Sequence, residues 1–297
     1  STPEAQAGYL THFRADSIVR DAELIRRELG ADRWSVLGQS FGGFTSLAYL
    51  SIAPDGLREA FITGGLAPLG RPVDDVYAAT YRRVMERTER YFERYPEDRA
   101  RVREIHRRLD AEEILLENGD RLTVRRFRQL GLYLGDSAGW ELLHHIVELP
   151  IDSPAFRMDL EAAVRFVRNP IYVTLHESSY ADGVATRWSA HRLLPDEIRA
   201  GIGFTAEHVF PWMFDDYRTL RPHRAAAELL AEHPWPRLYD AGQLAVNEVP
   251  VAATIYVDDL YVERAFAEET AAQVRGLRTW LTDEYVHTAI RADGARV

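Results

Sequence analysis

WSVLGQSFGGF, residues 34–44, is the stretch on which the reading of this chain turns. Trp34 to Leu37 is a short apolar run that suits a buried strand. Gly38 to Gly43 is a glycine-rich turn, and Phe44 to Ala53 continues as an apolar helix that stops near Pro54. Upstream, SIVRDAELIRREL (17–29) places Ile18, Ala22, Ile25 and Leu29 on one helical stripe, with Gly30 as the stop. Downstream, REAFITGG (58–65) reads as a second buried strand. Helix, strand, turn, helix and strand in that order predict a parallel sheet in an α/β protein.

Within the turn, Gly38-Gln39-Ser40-Phe41-Gly42 matches G-x-S-x-G, the nucleophile elbow. A serine on a sharp strand-to-helix turn is held in an unusual backbone conformation, and bulky neighbours two residues away on either side would clash. The turn aims Oγ above the sheet and places a helix N-terminus beneath it, so the Phe41 N–H can donate to an oxyanion. The five-residue pattern alone arises by chance in about one chain in ten of this length. Its setting between strand and helix is what gives it weight against an inert β-α turn. No lysine follows the glycines, which disfavours a phosphate-binding P-loop.

An elbow serine requires an acid at the carboxyl end of a late strand and a histidine after the last strand. VPVAATIYV (249–257) is a buried-strand run with Asp258 and Asp259 at its end. ERAFAEETAAQVRGL (263–277) follows as a helix closing near Gly276, and RTWLTDEYVH (278–287) as a last strand and loop ending in His287. Of ten histidines, His287 alone falls where the fold needs a base. Ser40 is therefore the expected nucleophile, His287 the base, and Asp259 the acid, with Asp258 the alternative one residue away.

The middle of the chain differs. Tyr77, Tyr81, Val84, Thr88, Tyr91 and Tyr95 recur every three or four residues among arginines and glutamates, predicting a long amphipathic helix over 74–95. A second charged helix is expected over 97–117. Mixed, mainly helical segments follow to 245, within which NPIYVTLHE (169–177) has strand propensity. The expected organisation is a hydrolase-like core over 1–66 and 248–297, split by a mainly helical insertion over 67–247.

Composition narrows the partners. The 297 residues carry a net charge of −10, which argues against a nucleic-acid partner. The absence of cysteine excludes disulfides and thiolate metal sites, and the expected chemistry needs neither metal nor cofactor. No apolar run is long enough to span a membrane.

With these residues in place, the chain resembles the proline iminopeptidase (prolyl aminopeptidase) family of α/β-hydrolase serine peptidases, in its larger bacterial branch. The matching stretches are GQSFGGFTSLAYLS (38–51), LHESSYADGVATRWSAHR (175–192), FTAEHVFPWMF (204–214), VPVAATIYVDDLYVE (249–263) and LTDEYVHTAIR (281–291). The resemblance implies an α/β-hydrolase fold with a large helical cap. It also implies an enzyme that releases N-terminal proline, or a related small residue, from small peptides through an acyl-enzyme. In the family the acid precedes the histidine by 28 residues, the separation of Asp259 and His287, which supports Asp259 over Asp258. Two cap glutamates of the family hold the substrate's α-amino group, and they correspond to Glu177 and Glu207. Carboxylates enclosed in this way pair with an N-terminal cation and reject internal peptide bonds. Phe210, Trp212 and Phe214 are candidates for a proline pocket, or alternatively for the core of the cap. The family's His-Gly-Gly-Pro-Gly oxyanion loop is absent, so the chain is expected to be a fragment without the N-terminal core strands and the second oxyanion donor. The family is mostly cytoplasmic, so that compartment is expected here; self-association stays open. The alternatives are an esterase or amidase on the same scaffold, for which the α-amine is irrelevant, and a non-catalytic homologue.

Overall fold

A computed structural model describes residues 2–296. They form two compact units. The first comprises Ser1–Val76, Glu177–Arg187 and Leu229–Val297; the second comprises Tyr77–His176 and Trp188–Glu228.

The first unit is built on four parallel strands: β1 (Trp34–Gln39), β2 (Leu57–Thr63), β3 (Val251–Tyr256) and β4 (Leu277–Thr282), adjacent in that order. Parallel neighbours need crossover connections. The helix Phe41–Ile52 joins β1 to β2, and the helix Arg264–Gln273 joins β3 to β4. The register sets Leu37 beside Phe61, Phe61 beside Ala252, and Ala252 beside Arg278. One face of the sheet carries Val36, Ala60, Ile62, Ala253 and Ile255 into a core shared with Phe44, Leu47 and Leu50 of the crossover helix. The opposite face leaves Leu37 61% and Phe61 42% exposed. Among the described residues β1 pairs on one side only, with β2.

Two helices precede the sheet, α1 (Pro3–Leu10) and α2 (Ala15–Glu28). The orientation of α2 corrects the periodicity argument. Ile18, Ile25 and Leu29 of the expected buried stripe are exposed, and Ala15, Val19 and Glu23 turn inward instead. A polar anchor sets this rotation. The Tyr49 hydroxyl is buried and donates to Glu23 Oε1 at 2.5 Å while accepting from Trp34 Nε1 at 2.9 Å. Arg26 grips the same carboxylate at 2.8 and 2.7 Å. A buried hydroxyl must be satisfied, and hydropathy counts give Glu23 no credit for doing so.

The second unit is mainly helical. The helix α3 here denotes Phe41–Ile52, and α4 denotes Val73–Arg94, which buries Tyr77, Tyr81, Val84, Thr88 and Tyr91 as the spacing predicts. The charged helix that follows, α5 (Asp98–Ala111), is shorter than expected. Residues 114–122 form a two-rung antiparallel hairpin around Gly119, whose φ of +80° the side chain of most residues would resist. NPIYVTLHE is helical, not extended. Pro170 opens α6 (Pro170–Leu175) at a position that loses no helix hydrogen bond, and His176–Ser179 continues as a 3₁₀ turn. Buried Val173, Val209, Phe210, Met213, Phe214, Tyr217 and Leu220 make a core cluster of this unit. Among the described residues no helix is long and apolar enough to cross a membrane.

Candidate active site

Ser40 lies between β1 and α3 with φ 55° and ψ −121°. A positive φ in a non-glycine residue costs about 1–3 kcal/mol and persists only where its surroundings enforce it. The enforcement is visible. The Ser40 N–H donates to Thr63 O of β2 at 3.0 Å, and its carbonyl accepts from Gly43 N–H at 2.8 Å in the first turn of α3. A Cβ at Gly38 would lie 2.2 Å from Gly42 O, so this glycine is required by close packing. Gly42 differs from the expectation, since a Cβ there would meet nothing within 4 Å. Phe41 is the first residue of α3. Its N–H is one of the leading helix amides that lack an intrahelical acceptor, and the helix dipole adds to its attraction for an anion.

Asp259 and His287, which follow the carboxyl ends of β3 and β4, meet each other. His287 Nδ1 is 2.8 Å from Asp259 Oδ2, and both residues are buried, 6% and 2% exposed. The other carboxylate oxygen, Oδ1, accepts the N–H groups of Tyr261 at 2.8 Å and Val262 at 3.1 Å. A carboxylate acceptor at Nδ1 places the ring proton there and leaves Nε2 as the basic nitrogen. It is thus the carboxylate of Asp259 that reaches the imidazole, whereas Asp258 is only partly buried.

Three contacts missed by the sequence reading fix this histidine. Gln39, the neighbour of Ser40, donates from Nε2 to His287 O at 3.3 Å, tying the elbow to the histidine loop. Tyr261 sets its ring edge-on to the imidazole at 4.8 Å between centroids. Gly64 sits with φ +54° where a Cβ would come 2.7 Å from the Tyr256 ring and 3.1 Å from His287 Nδ1. The first glycine of TGG (63–65) is the available signal, but nothing in one sequence says what a strand-end glycine faces.

Glu177 is buried in the 3₁₀ turn of the first unit. The segment that follows is held by buried Arg14, whose guanidinium donates to the carbonyls of Ser178, Ala181 and Pro236 and lies 4.8 Å over the Trp235 ring.

In the second unit, Glu207 is partly exposed and its Oε1 accepts the Tyr172 hydroxyl at 2.6 Å. It lines a cavity of about 220 Å³ with Tyr172, Phe166, Leu132, Val164 and Val209. Phe210 and Phe214, each 1% exposed, are interior members of the core cluster, and Trp212 stacks on Phe210 at 5.4 Å. None of these three aromatics lines that cavity. Tyr172 went unnoticed because strand propensity dominated its segment. As a helix followed by a turn, the same residues bring the Tyr172 hydroxyl onto Glu207.

A family model described as alpha/beta hydrolase fold matches residues 1–157. The chain is 45% identical to a proline iminopeptidase of Aeromonas sobria, over 99% of this chain and 72% of that protein. It is 36% identical to the proline iminopeptidase aneH of Aspergillus aculeatus, over 98% of this chain and 70% of that protein.

Proposed function

Because the chain belongs to the proline iminopeptidase family of α/β-hydrolase-fold enzymes, we propose that it is a serine aminopeptidase releasing N-terminal proline from peptides. The observation that carries the site assignment is the buried Asp259–His287 pair, tied through Gln39 to a serine held at positive φ. Ser40 Oγ attacks the carbonyl carbon of the N-terminal residue while His287 Nε2 takes the hydroxyl proton. Asp259 stabilises the imidazolium and keeps its proton on Nδ1. The Phe41 N–H donates to the oxyanion as the tetrahedral intermediate forms. When the C–N bond breaks, His287 returns the proton to the departing amine nitrogen, leaving an ester on Ser40. Water then attacks that ester, giving a proton to Nε2, and Ser40 leaves as the hydroxyl.

Glu177 and Glu207 are the proposed carboxylate partners of the substrate's ammonium group. The assignment rests on the family motifs and on the chemistry of charge-assisted pairing. A mainly helical insertion, proposed over 67–247, is the proposed source of exopeptidase specificity. Phe210, Trp212 and Phe214 enter the proposal as packing for that specificity region, in keeping with the burial of Phe210 and Phe214. Small peptides with a free N-terminal proline are the proposed substrates, and the cytoplasm the proposed compartment.

The decisive experiment is a substrate panel of proline arylamide, N-acetylproline arylamide and simple acetyl esters. Turnover of the free-amine arylamide, lost in Ser40→Ala, is expected. Equal turnover of the N-acetyl derivative would refute amine recognition, and turnover of esters alone would assign the chain to esterase chemistry.

A further inference from the structure

The surroundings of Glu207 go beyond the assignment of that carboxylate to an ammonium group. The Tyr172 hydroxyl donates to Oε1 at 2.6 Å, the short separation of a charge-assisted bond. Tyr172 cannot readily turn away. Its ring stacks on Phe166, with 6.0 Å between centroids and 13° between planes, and lies 5.2 Å from the His176 ring. Among the described residues no donor is bonded to Oε2, and no arginine pairs with the carboxylate.

The two neighbouring imidazoles do not answer the charge. His208 Nδ1 accepts the Ala206 N–H at 3.1 Å, so its proton sits on Nε2, 3.0 Å from Thr80 Oγ1. Burial drives His208 down to about 3 and lowers His176 as well, so both are neutral at ordinary pH. Arg165 also borders the cavity but is exposed at its rim. Glu207 is therefore one carboxylate with one oxygen fixed, facing a cavity whose walls are largely apolar.

We propose that Tyr172 is a positioning residue for ammonium recognition: by occupying Oε1 it fixes the Glu207 carboxylate and leaves Oε2 as the acceptor for the substrate's ammonium group. This rests on the reading of Glu207 as an amine acceptor. A carboxylate free to rotate would lose entropy on each binding event, and the tyrosine removes that cost in advance.

Tyr172→Phe tests the proposal, since it keeps the ring on Phe166 and deletes only the hydroxyl. Steady-state kinetics would be measured on proline arylamide and on p-nitrophenyl acetate, which has no amine, with Glu207→Gln and the double variant alongside. The expected result is a rise of about tenfold in KM for the arylamide with little change in kcat, the size of effect that loss of one hydrogen bond to a charged group produces. The preference for arylamide over ester falls by the same factor. In the Glu207→Gln background, Tyr172→Phe adds nothing. An unchanged KM, equal losses on both substrates, or a full additional loss in the double variant would each overturn the positioning role. If Glu207→Gln alone leaves KM unchanged, the amine-acceptor reading fails first and the proposal falls with it, an outcome distinct from the other three.

Discussion

Gly64→Ala should disable His287 while leaving that residue itself unsubstituted. At φ +54° an alanine costs about 1–2 kcal/mol in backbone energy alone. Its Cβ would then stand 2.7 Å from Tyr256 Cε2 and 3.1 Å from His287 Nδ1. Tyr256 is 1% exposed, so the clash adds the ordinary overpacking cost of about 1–3 kcal/mol. Together these destabilise the first unit by about 2–5 kcal/mol. Part of the strain is relieved by moving His287, and a displacement near 1 Å at a reacting group costs about a hundredfold in rate. Gly42→Ala is the internal control. It lies in the first turn of α3 and in the motif itself, yet its Cβ enters open space, and alanine favours a helix by up to about 1 kcal/mol. The assays are urea unfolding followed by circular dichroism and the rate at which a fluorophosphonate labels Ser40. Wild-type stability and labelling in Gly64→Ala would refute the packing argument, as would equal damage from Gly42→Ala.

Three further outcomes follow from the same geometry. Asp259→Asn should lower turnover by about 10⁴-fold by favouring the wrong imidazole tautomer, whereas Asp258→Asn changes it little; comparable losses in both would contradict the assignment. Glu23 is held down to about 2, first by Arg26 and then, against the opposing effect of burial, by Tyr49. Its folded value lies below its unfolded one, so its contribution is present above about pH 4.5 and lost as pH falls toward 2. After discounting for solvent near this helix surface that contribution is about 1–2 kcal/mol. Glu23→Gln should flatten that acid limb in unfolding measured from pH 5 to 2, and a limb of unchanged slope would count against it. Arg14→Ala should destabilise the first unit by about 2–3 kcal/mol, since it strips a charged donor from the buried Ser178 and Ala181 carbonyls; an unchanged urea midpoint would show that this donor is dispensable.

The parts legible in the sequence are those with a local cause. The β1–turn–α3 unit, the buried stripe of α4 and the strand ending at Tyr256 each follow from periodicity or turn chemistry within a few residues. Asp259 and His287 were legible because fold order dictates where such residues fall. What stayed hidden depends on partners distant in sequence. The outward face of α2 follows from a hydroxyl on Tyr49 that needs Glu23, a bond across 26 positions. Tyr172 was masked because a β-branched run next to a proline favours a strand until tertiary packing overrides it. Gly42 was assigned a constraint that belongs to Gly38, because the motif is symmetric in sequence while the turn is not symmetric in space.

The bond from Gln39 Nε2 to His287 O has a kinetic meaning for the serine. It joins the residue before Ser40 to the loop that carries the base. Local opening of either segment therefore breaks the same tie, and loosening of the elbow and of the histidine loop should share one rate. Amide exchange along Val36–Ser40 and around His287 is where that shared rate would be read.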